Sequence, residues 1–531
     1  MKHFYTLLLV IAFCLPTAYM FGQAGMLDTD FNTTGYFSYD FGNNDIIQDV
    51  MVQEDQKIVC TGIRLSSGFT SELVVMRLNP DGTLDNSFSD DGIFTFVDGP
   101  EAYGVECAQT ADGKLIVAGI HYASDYTADF LALRLNADGT LDTTFGTDGF
   151  TLVDFDGVDQ FTQALTLQDD GSIIISGTSI DTETLDYHNA PTIIRLSPDG
   201  VFDTSFGSDG VVQIPTLFID NELTSIKVQP DGKIIAAGHY QDTFDGTTDF
   251  DILLIRTNAN GNLDSDFGNN GVVIQPIDAG IDDCFGMDFD ADGNIYTAGF
   301  TTVAFTLDLN MALLKFLPDG TLDTTFGTDG LVTDSTDPIT YANDLVVQSD
   351  NKIVLAGGYG SIFSTQDFVL WRYLPTGEPD LSFGTNGSVL SDFTNQTQDI
   401  NGMALQADGK IIAAGKGDFT GNRDFLVARY TNDIVSGIEE SQNLSSLSIY
   451  PNPVAQGGQV LLNLSQSLSP SARLRIYDLS GRIIQTSAVS ELIGMDESSY
   501  ALRLTAGIST GTYILEVDVD GTNASQLLRV Y

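Results

Sequence analysis

The apolar residues of this chain fall into short runs separated by turn residues, and the runs recur in a fixed order. Across residues 223–276 the order is LTSIKVQ, KIIAAG, DFDILLIRTN and LDSDFGNNGVVIQP. These runs are rich in Val, Ile, Leu and Phe and alternate only partly, the pattern of strands covered on both faces. Each unit is therefore expected to hold four strands, a to d. Between a and b stands Pro230-Asp231-Gly232, with Asp-Gly again at 112–113, 170–171, 292–293 and 408–409. Between c and d, every internal copy keeps a glycine: Gly82, Gly139, Gly200, Gly261, Gly320 and Gly377. Such residues set a type I turn followed by a left-handed bulge position, so a–b and c–d read as tight hairpins. Gln56 and Asn351 replace the a–b glycine in two copies and are expected to adopt its left-handed conformation.

The period is carried by an LDxxF motif. It starts at Leu27, Leu84, Leu141, Phe202, Leu263, Leu322 and, in degenerate form, Pro379, at intervals of 57 to 61 residues. DGTLDTTFGTDG even recurs letter for letter at 138–149 and 319–330. Self-similarity of this kind marks one supersecondary unit repeated along the chain. A second spacing is fixed within it. Strand c carries Arg77, Arg134, Arg195, Arg256, Lys315 and Arg372, and eight residues later come Asp85, Asp142, Asp203, Asp264, Asp323 and Asp380. The hairpin geometry places each pair directly opposite, which predicts an internal ion pair in every unit.

The ends of the array decide its closure. A d segment (27–41) comes first, seven a–b–c runs follow, and the last ends at Arg429-Tyr430 with no LDxxF after it. Asp28 and Arg429 are each left without a partner in sequence. Pairing the first d segment with the last c strand satisfies both and leaves no open sheet edge. The expected fold is all-β: a seven-bladed β-propeller of four-stranded blades with 3+1 closure. With VQPDGKIIAAG and RLNPDGTLDTTFG, residues 27–430 resemble the delta-60 repeat family of bacterial exported proteins, which shares its plan with NHL-type propellers. That resemblance implies the propeller fold and brings no catalytic residues with it.

Beyond a linker at 431–446 the period is lost. Alternating segments at 447–454, 472–485, 500–507 and 511–521 predict a small β-sandwich over 447–531. Pro451-Asn452-Pro453, the run Asp478 to Arg482 and the basic end at Arg529 make this tail similar to the C-terminal sorting domain of type IX secretion cargo. The resemblance implies the type IX machinery as a partner, and a protein released from the cell or held at its surface. At the other end, Lys2 and His3 precede an apolar run and Gly22 and Ala24 fit a cleavage site, so residues 1–24 read as a signal peptide and 25–430 as the propeller.

Composition narrows the partners. The 73 acidic against 22 basic residues give a formal charge of −51, which disfavours nucleic acid and anionic membranes. No mature segment is apolar enough to span a bilayer. The three cysteines left after cleavage, Cys60, Cys107 and Cys284, have neither a disulfide count nor zinc spacing and are expected in strand interiors. DFDADG at 288–293 opens like a calcium loop but has Gly299 where a Glu is required. No catalytic triad, phosphate loop or metal-ligand set stands out, and no cofactor is implied. The variable b–c loops are the expected place of recognition. Their candidates are His121, Tyr122, His188, His239 and Tyr240, which include all three mature histidines. Two functions follow. The first is a non-catalytic exported scaffold that binds an unknown extracellular glycan, polymer or protein; the second is a polysaccharide-active propeller enzyme, a lyase or hydrolase.

Overall fold

The computed structural model describes residues 24–432, apart from 67–69, 156–157, 182–188, 215–220, 242–249, 278–279, 303–307, 335–338, 361–364, 395 and 420, together with most of 447–530. Two compact units divide the chain at residues 434 and 435. The larger unit is built from seven antiparallel four-stranded blades. Blade 1 has strands a to d at Asp45–Val52, Ile58–Leu65, Ser71–Leu78 and Ile93–Phe96. Blades 2 to 6 repeat the order, from Glu101–Gln109 of blade 2 to Ser388–Ser391 of blade 6. Blade 7 takes Gln398–Leu405, Ile411–Asp418 and Arg423–Tyr430 from the end of the array, and its outer strand is Tyr36–Tyr39 from the beginning. Tyr36 lies opposite Ala428 and Tyr39 opposite Phe425, so the predicted 3+1 closure is the observed one.

The weak alternation of the strands has its cause in the packing. Seven apolar clusters lie between successive blades, each fed by two of them. Ile47, Val74 and Met76 of blade 1, for example, pack with Ile412, Phe425 and Val427 of blade 7. A strand buried on both faces has no solvent side on which to place polar residues. The three free cysteines are all buried in these strands.

One expectation about strand d is corrected. The LDxxF segment is a turn, not strand, joined to strand c by a single bridge such as Leu78 to Leu84, and strand d is a short piece several residues later. Its Phe is needed elsewhere. Phe31, Phe88, Phe145, Phe206, Phe267, Phe326 and Phe383 are all essentially fully buried, each worth roughly 1.5–3 kcal/mol of burial. Gly139 shows how the next blade accommodates this ring: its φ is +85°, and a Cβ there would meet the Phe88 ring at 2.7 Å. The hairpins have the expected geometry, with Asn79 N–H donating to Thr83 O at 2.7 Å and Asp85 N–H to Arg77 O at 2.9 Å. Gln56 and Asn351 sit at φ 68° and 63°, as the turn requires.

Every predicted ion pair is formed, at 2.6–2.9 Å, and the Arg429–Asp28 pair across the closure measures 2.8 Å. The pair belongs to a larger clamp. Asp142 Oδ2 accepts both Arg134 Nε and Lys114 Nζ at 2.7 Å, while Thr144 donates to Oδ1. Arg134 also lies over the Phe145 ring and donates to Pro198 O of the next blade. The smaller unit is a sandwich of two four-stranded sheets, one running from Leu447–Tyr450 to Ile493–Gly494, the other centred on Arg473–Tyr477 and Gly511–Val519. Val460, Leu474, Leu502, Leu515 and Leu528 fill its core. Pro451, Pro453 and the run 478–482 lie outside the described residues.

Candidate functional site

The innermost strand of every blade lines a central channel, and each carries a β-bulge at the same place. The bulged residues are Gln48, Val105, Gln163, Thr224, Phe285, Asn343 and Asn401. A bulge inserts one residue, bends the strand and re-aims side chains. The bulge residues, polar except for Val105 and Phe285, line a cavity of about 500 Å³ whose wall also includes Asp49, Glu106, Lys227 and Asp344.

These carboxylates, together with Asp288 of blade 5, also hold neighbouring blades together. Asp49 accepts the Cys107 N–H at 3.0 Å, Asp288 the Val347 N–H at 2.8 Å and Asp344 the Met403 N–H at 2.8 Å, while Glu106 accepts the Leu165 N–H. The bulge residues add amide staples: Asn343 Nδ2 donates to Ile400 O at 2.7 Å and Asn401 Nδ2 to Ile47 O at 2.6 Å. Burial pushes the Asp49 and Glu106 carboxyls up, and at Glu106 the Asp49 charge adds to the rise. Burial likewise raises Asp344 to about 7, against the pull of Lys227. Burial pulls the Lys227 ammonium down, but Asp288 at 3.0 Å and the charges of Asp344 and Glu106 outweigh it, and its pKa ends above the ordinary lysine value.

The sequence candidates lie elsewhere and are not brought together. His121 and His239 were expected in loops but end strand b of blades 2 and 4, because those strands run on to pair with the start of strand c. Both are buried. His121 Nδ1 lies 3.0 Å from Asp129, and His239 Nδ1 lies 3.0 Å from Asp283 with its ring against Phe250. Tyr122 packs edge-on against Tyr103, and Tyr240 is half-buried opposite Asn221 and Asp251. His188 lies outside the described residues. The b–c turn of blade 2 does expose an aromatic, Tyr126, at 66 % of its surface.

Charged residues inside apolar runs were the available signal for the channel. Asp49, Glu106, Asp288 and Asp344 each interrupt strand a a few residues before its hairpin, and sequence reasoning passed over them in favour of the loops.

Comparison with known proteins agrees with this architecture. Residues 53–88, 110–145, 168–206, 229–267, 291–326, 348–383 and 406–433 match the family described as a domain of unknown function (DUF5122) beta-propeller. Residues 448–530 match the secretion system C-terminal sorting domain. No curated protein matches the sequence. Among solved structures, Drosophila Semaphorin 2a is similar at 8 % identity, covering 93 % of this chain and 97 % of that one, with a TM-score of 0.41. A polysaccharide lyase of family PL25, an ulvan lyase, is similar at 10 % identity, 75 % and 96 % coverage and a TM-score of 0.41. An acylaminoacyl peptidase from Pyrococcus horikoshii follows at 11 %, 81 % and 59 % coverage, and 0.36. Likenesses this distant carry nothing about activity.

Proposed function

We propose that this chain, an exported DUF5122 β-propeller that ends in a type IX secretion sorting domain, is a non-catalytic scaffold that binds an extracellular ligand at the mouth framed by its b–c loops. The observation that carries the reading is the commitment of the channel carboxylates. Asp49, Glu106 and Asp344 of the channel wall, and Asp288 beside Lys227, each accept a backbone N–H from the next blade, so these acids have a structural role in holding the ring. His121 and His239 are committed in the same way to Asp129 and Asp283.

Charge selects the ligand. A chain of formal charge −51 repels anionic polymers and so favours neutral glycans or basic protein segments. The exposed Tyr126 offers an aromatic surface for such a ligand on the b–c side. The alternative, a polysaccharide-active enzyme, gains nothing from this arrangement, least of all a lyase acting on acidic sugars.

The test pairs a glycan array spanning neutral, cationic and anionic polymers with a turnover assay on the same polymers, using the full-length protein. Saturable binding to neutral or cationic probes without release of new chain ends is the expected result. Turnover of any probe would overturn the non-catalytic reading, and binding confined to anionic polymers would overturn the ligand class.

A further inference from the structure

Asp40, Asp45 and Asp424 meet at the seam where the ring closes, with their carboxylate oxygens within 4.8 Å of one another. Asp40 follows the outer strand of blade 7, Asp45 opens strand a of blade 1, and Asp424 is the second residue of strand c of blade 7. Asp45 is 0 % exposed and Asp424 1 %, while Asp40 faces solvent. Three carboxylates gathered in this way repel one another unless one of them takes up a proton or a cation lies between them.

The repeat supplies its own control, because the same three positions recur in blade 6. Asp392 follows strand d, Asp367 opens strand c, and Gln398 takes the place of Asp45. Both inner residues do the same structural job: Phe393 N–H donates to Gln398 Oε1, and Phe41 N–H donates to Asp45 Oδ2, each at 2.9 Å. The Gln398 amide then donates to Asp392 at 2.9 Å and reaches Asp367 at 3.5 Å, so that two acids are quieted by one N–H₂ group. In blade 2, where Asp154 and Asp129 hold these positions, His121 Nδ1 contacts Asp129. At the seam the donor is replaced by a third acid. Asp45 Oδ1, fully buried, has no hydrogen-bond partner.

The surroundings compensate only in part, through the backbone N–H groups of Phe41 and Leu65 at Asp45 and of Phe419 at Asp424. Asn422 Nδ2 makes its short bond to Asn43 O at 2.6 Å and reaches Asp40 and Asp424 only at 3.4 and 3.3 Å. Gly42 N–H donates to Asp40 at 2.6 Å, and Asp418 adds further negative charge near Asp424. The Arg64 guanidinium, over the Phe41 ring, spends its charge on Glu72 at 2.6 Å. Burial first, then the neighbouring acids, raise Asp45 to about 7 and Asp424 to about 6, against nearby backbone N–H groups.

We propose that Asp40, Asp45 and Asp424 bind a divalent cation, calcium in preference to magnesium, that locks the closing seam. An all-oxygen set of carboxylates drawn from a loop and two strands suits a hard ion tolerant of irregular coordination, whereas magnesium demands near-octahedral geometry and gives up water reluctantly. The exposed Asp40 provides the route from solvent. The ion joins the strand contributed by the N-terminal segment to blades 1 and 7, so its effect falls on closure.

The test compares wild type with Asp45→Gln in the full-length chain after EDTA treatment, followed by the fluorescence of Trp371, the protein's one tryptophan, which lies in blade 6. Gln occupies the equivalent position in two other blades, Gln160 and Gln398, so this variant is expected to fold. Calcium should raise the wild-type melting temperature saturably, with a dissociation constant of about 10⁻⁴–10⁻³ M as in extracellular calcium modules. Asp45→Gln should lose that shift while melting no lower than EDTA-treated wild type. Asp40→Asn, at an exposed position, should weaken the shift without unfolding the chain. An absent shift in wild type, an equal shift in Asp45→Gln, or equal shifts from magnesium and from matched ionic strength would each overturn the site.

Discussion

At the scale of single residues, the strongest determinant is the clamp that recurs once per blade. Asp142 illustrates its energetics. Its two oxygens serve Arg134, Lys114 and the Thr144 hydroxyl and N–H, and both Arg134 and Asp142 are buried. Removing the acid alone strands a guanidinium between the Phe145 ring and Pro198 O, so Asp142→Ala is expected to cost on the order of 3 kcal/mol in denaturant unfolding. Replacing Arg134 with Met and Asp142 with Leu together should cost much less, because no buried charge is left unpaired and Lys114 can turn toward solvent. A single-mutant cost under ~0.5 kcal/mol would show the clamp to be solvated. The Arg–Asp half of this device was legible as a constant offset of eight in a repeat whose loops vary. The lysine was not, although it stands beside the a–b turn in five blades, because its strand is two away from Asp and only the folded sheet brings them together.

At the scale of the element, closure proves to be an interrupted hairpin. Inside the array, Gly82 N–H donates to Asn79 O and Asn79 N–H to Thr83 O, at 2.9 and 2.7 Å. At the seam, Gly25 N–H donates to Thr431 O and Thr431 N–H to Met26 O, at 2.7 and 2.8 Å. Gly25 even keeps the turn's φ of 83°. The chain thus rebuilds a c–d turn from its two distant segments. The mimicry extends one residue further, since Gly384 N–H donates to Ala24 O at 2.9 Å just as Gly327 N–H donates to Thr376 O. Ala24, expected as the last residue of the leader, is therefore buried in the seam against Phe383. A chain beginning at Gly25 should be less stable than one beginning at Gln23 by about 1 kcal/mol, the net value of one hydrogen bond, in chemical unfolding. Equal stability would mean that the Ala24 contact is dispensable. The pairing of first and last segments followed from counting strands. The bulges and the seam acids did not, because a bulge shows only against its partner strand, and Asn43 and Asn422 meet across 379 positions.

At the scale of the whole molecule, two populations of carboxylates oppose each other and together set the response to pH. The seven clamp acids, Asp28, Asp85, Asp142, Asp203, Asp264, Asp323 and Asp380, are all held below the ordinary aspartate value: burial would raise most of them, and hydrogen bonds from Lys, Ser, Thr and Arg overcome it. Asp45, Asp344 and Asp424 go the other way, raised chiefly by burial to about 7, 7 and 6. The signs follow from which state binds more protons. A clamp acid binds fewer protons folded than unfolded, so its contribution is complete above the unfolded value of about 3.9 and is lost as pH falls below it. A raised acid binds more protons folded, so its contribution is complete below about 3.9 and is lost as pH rises through 6 to 7. In EDTA, the unfolding midpoint followed by Trp371 should therefore peak at about pH 4–5, fall from there to about pH 7 and level off, and fall more steeply below pH 4, where seven groups act together. Calcium should restore stability at the alkaline end by neutralising Asp45 and Asp424, leaving the acid limb untouched. Asp344→Asn, which removes a raised acid from the channel and leaves the seam intact, should flatten the alkaline decline even without calcium. A midpoint that stays level from pH 5 to 8 in EDTA would show that the channel and seam acids are ionised at no cost, and the electrostatic account of both would fail.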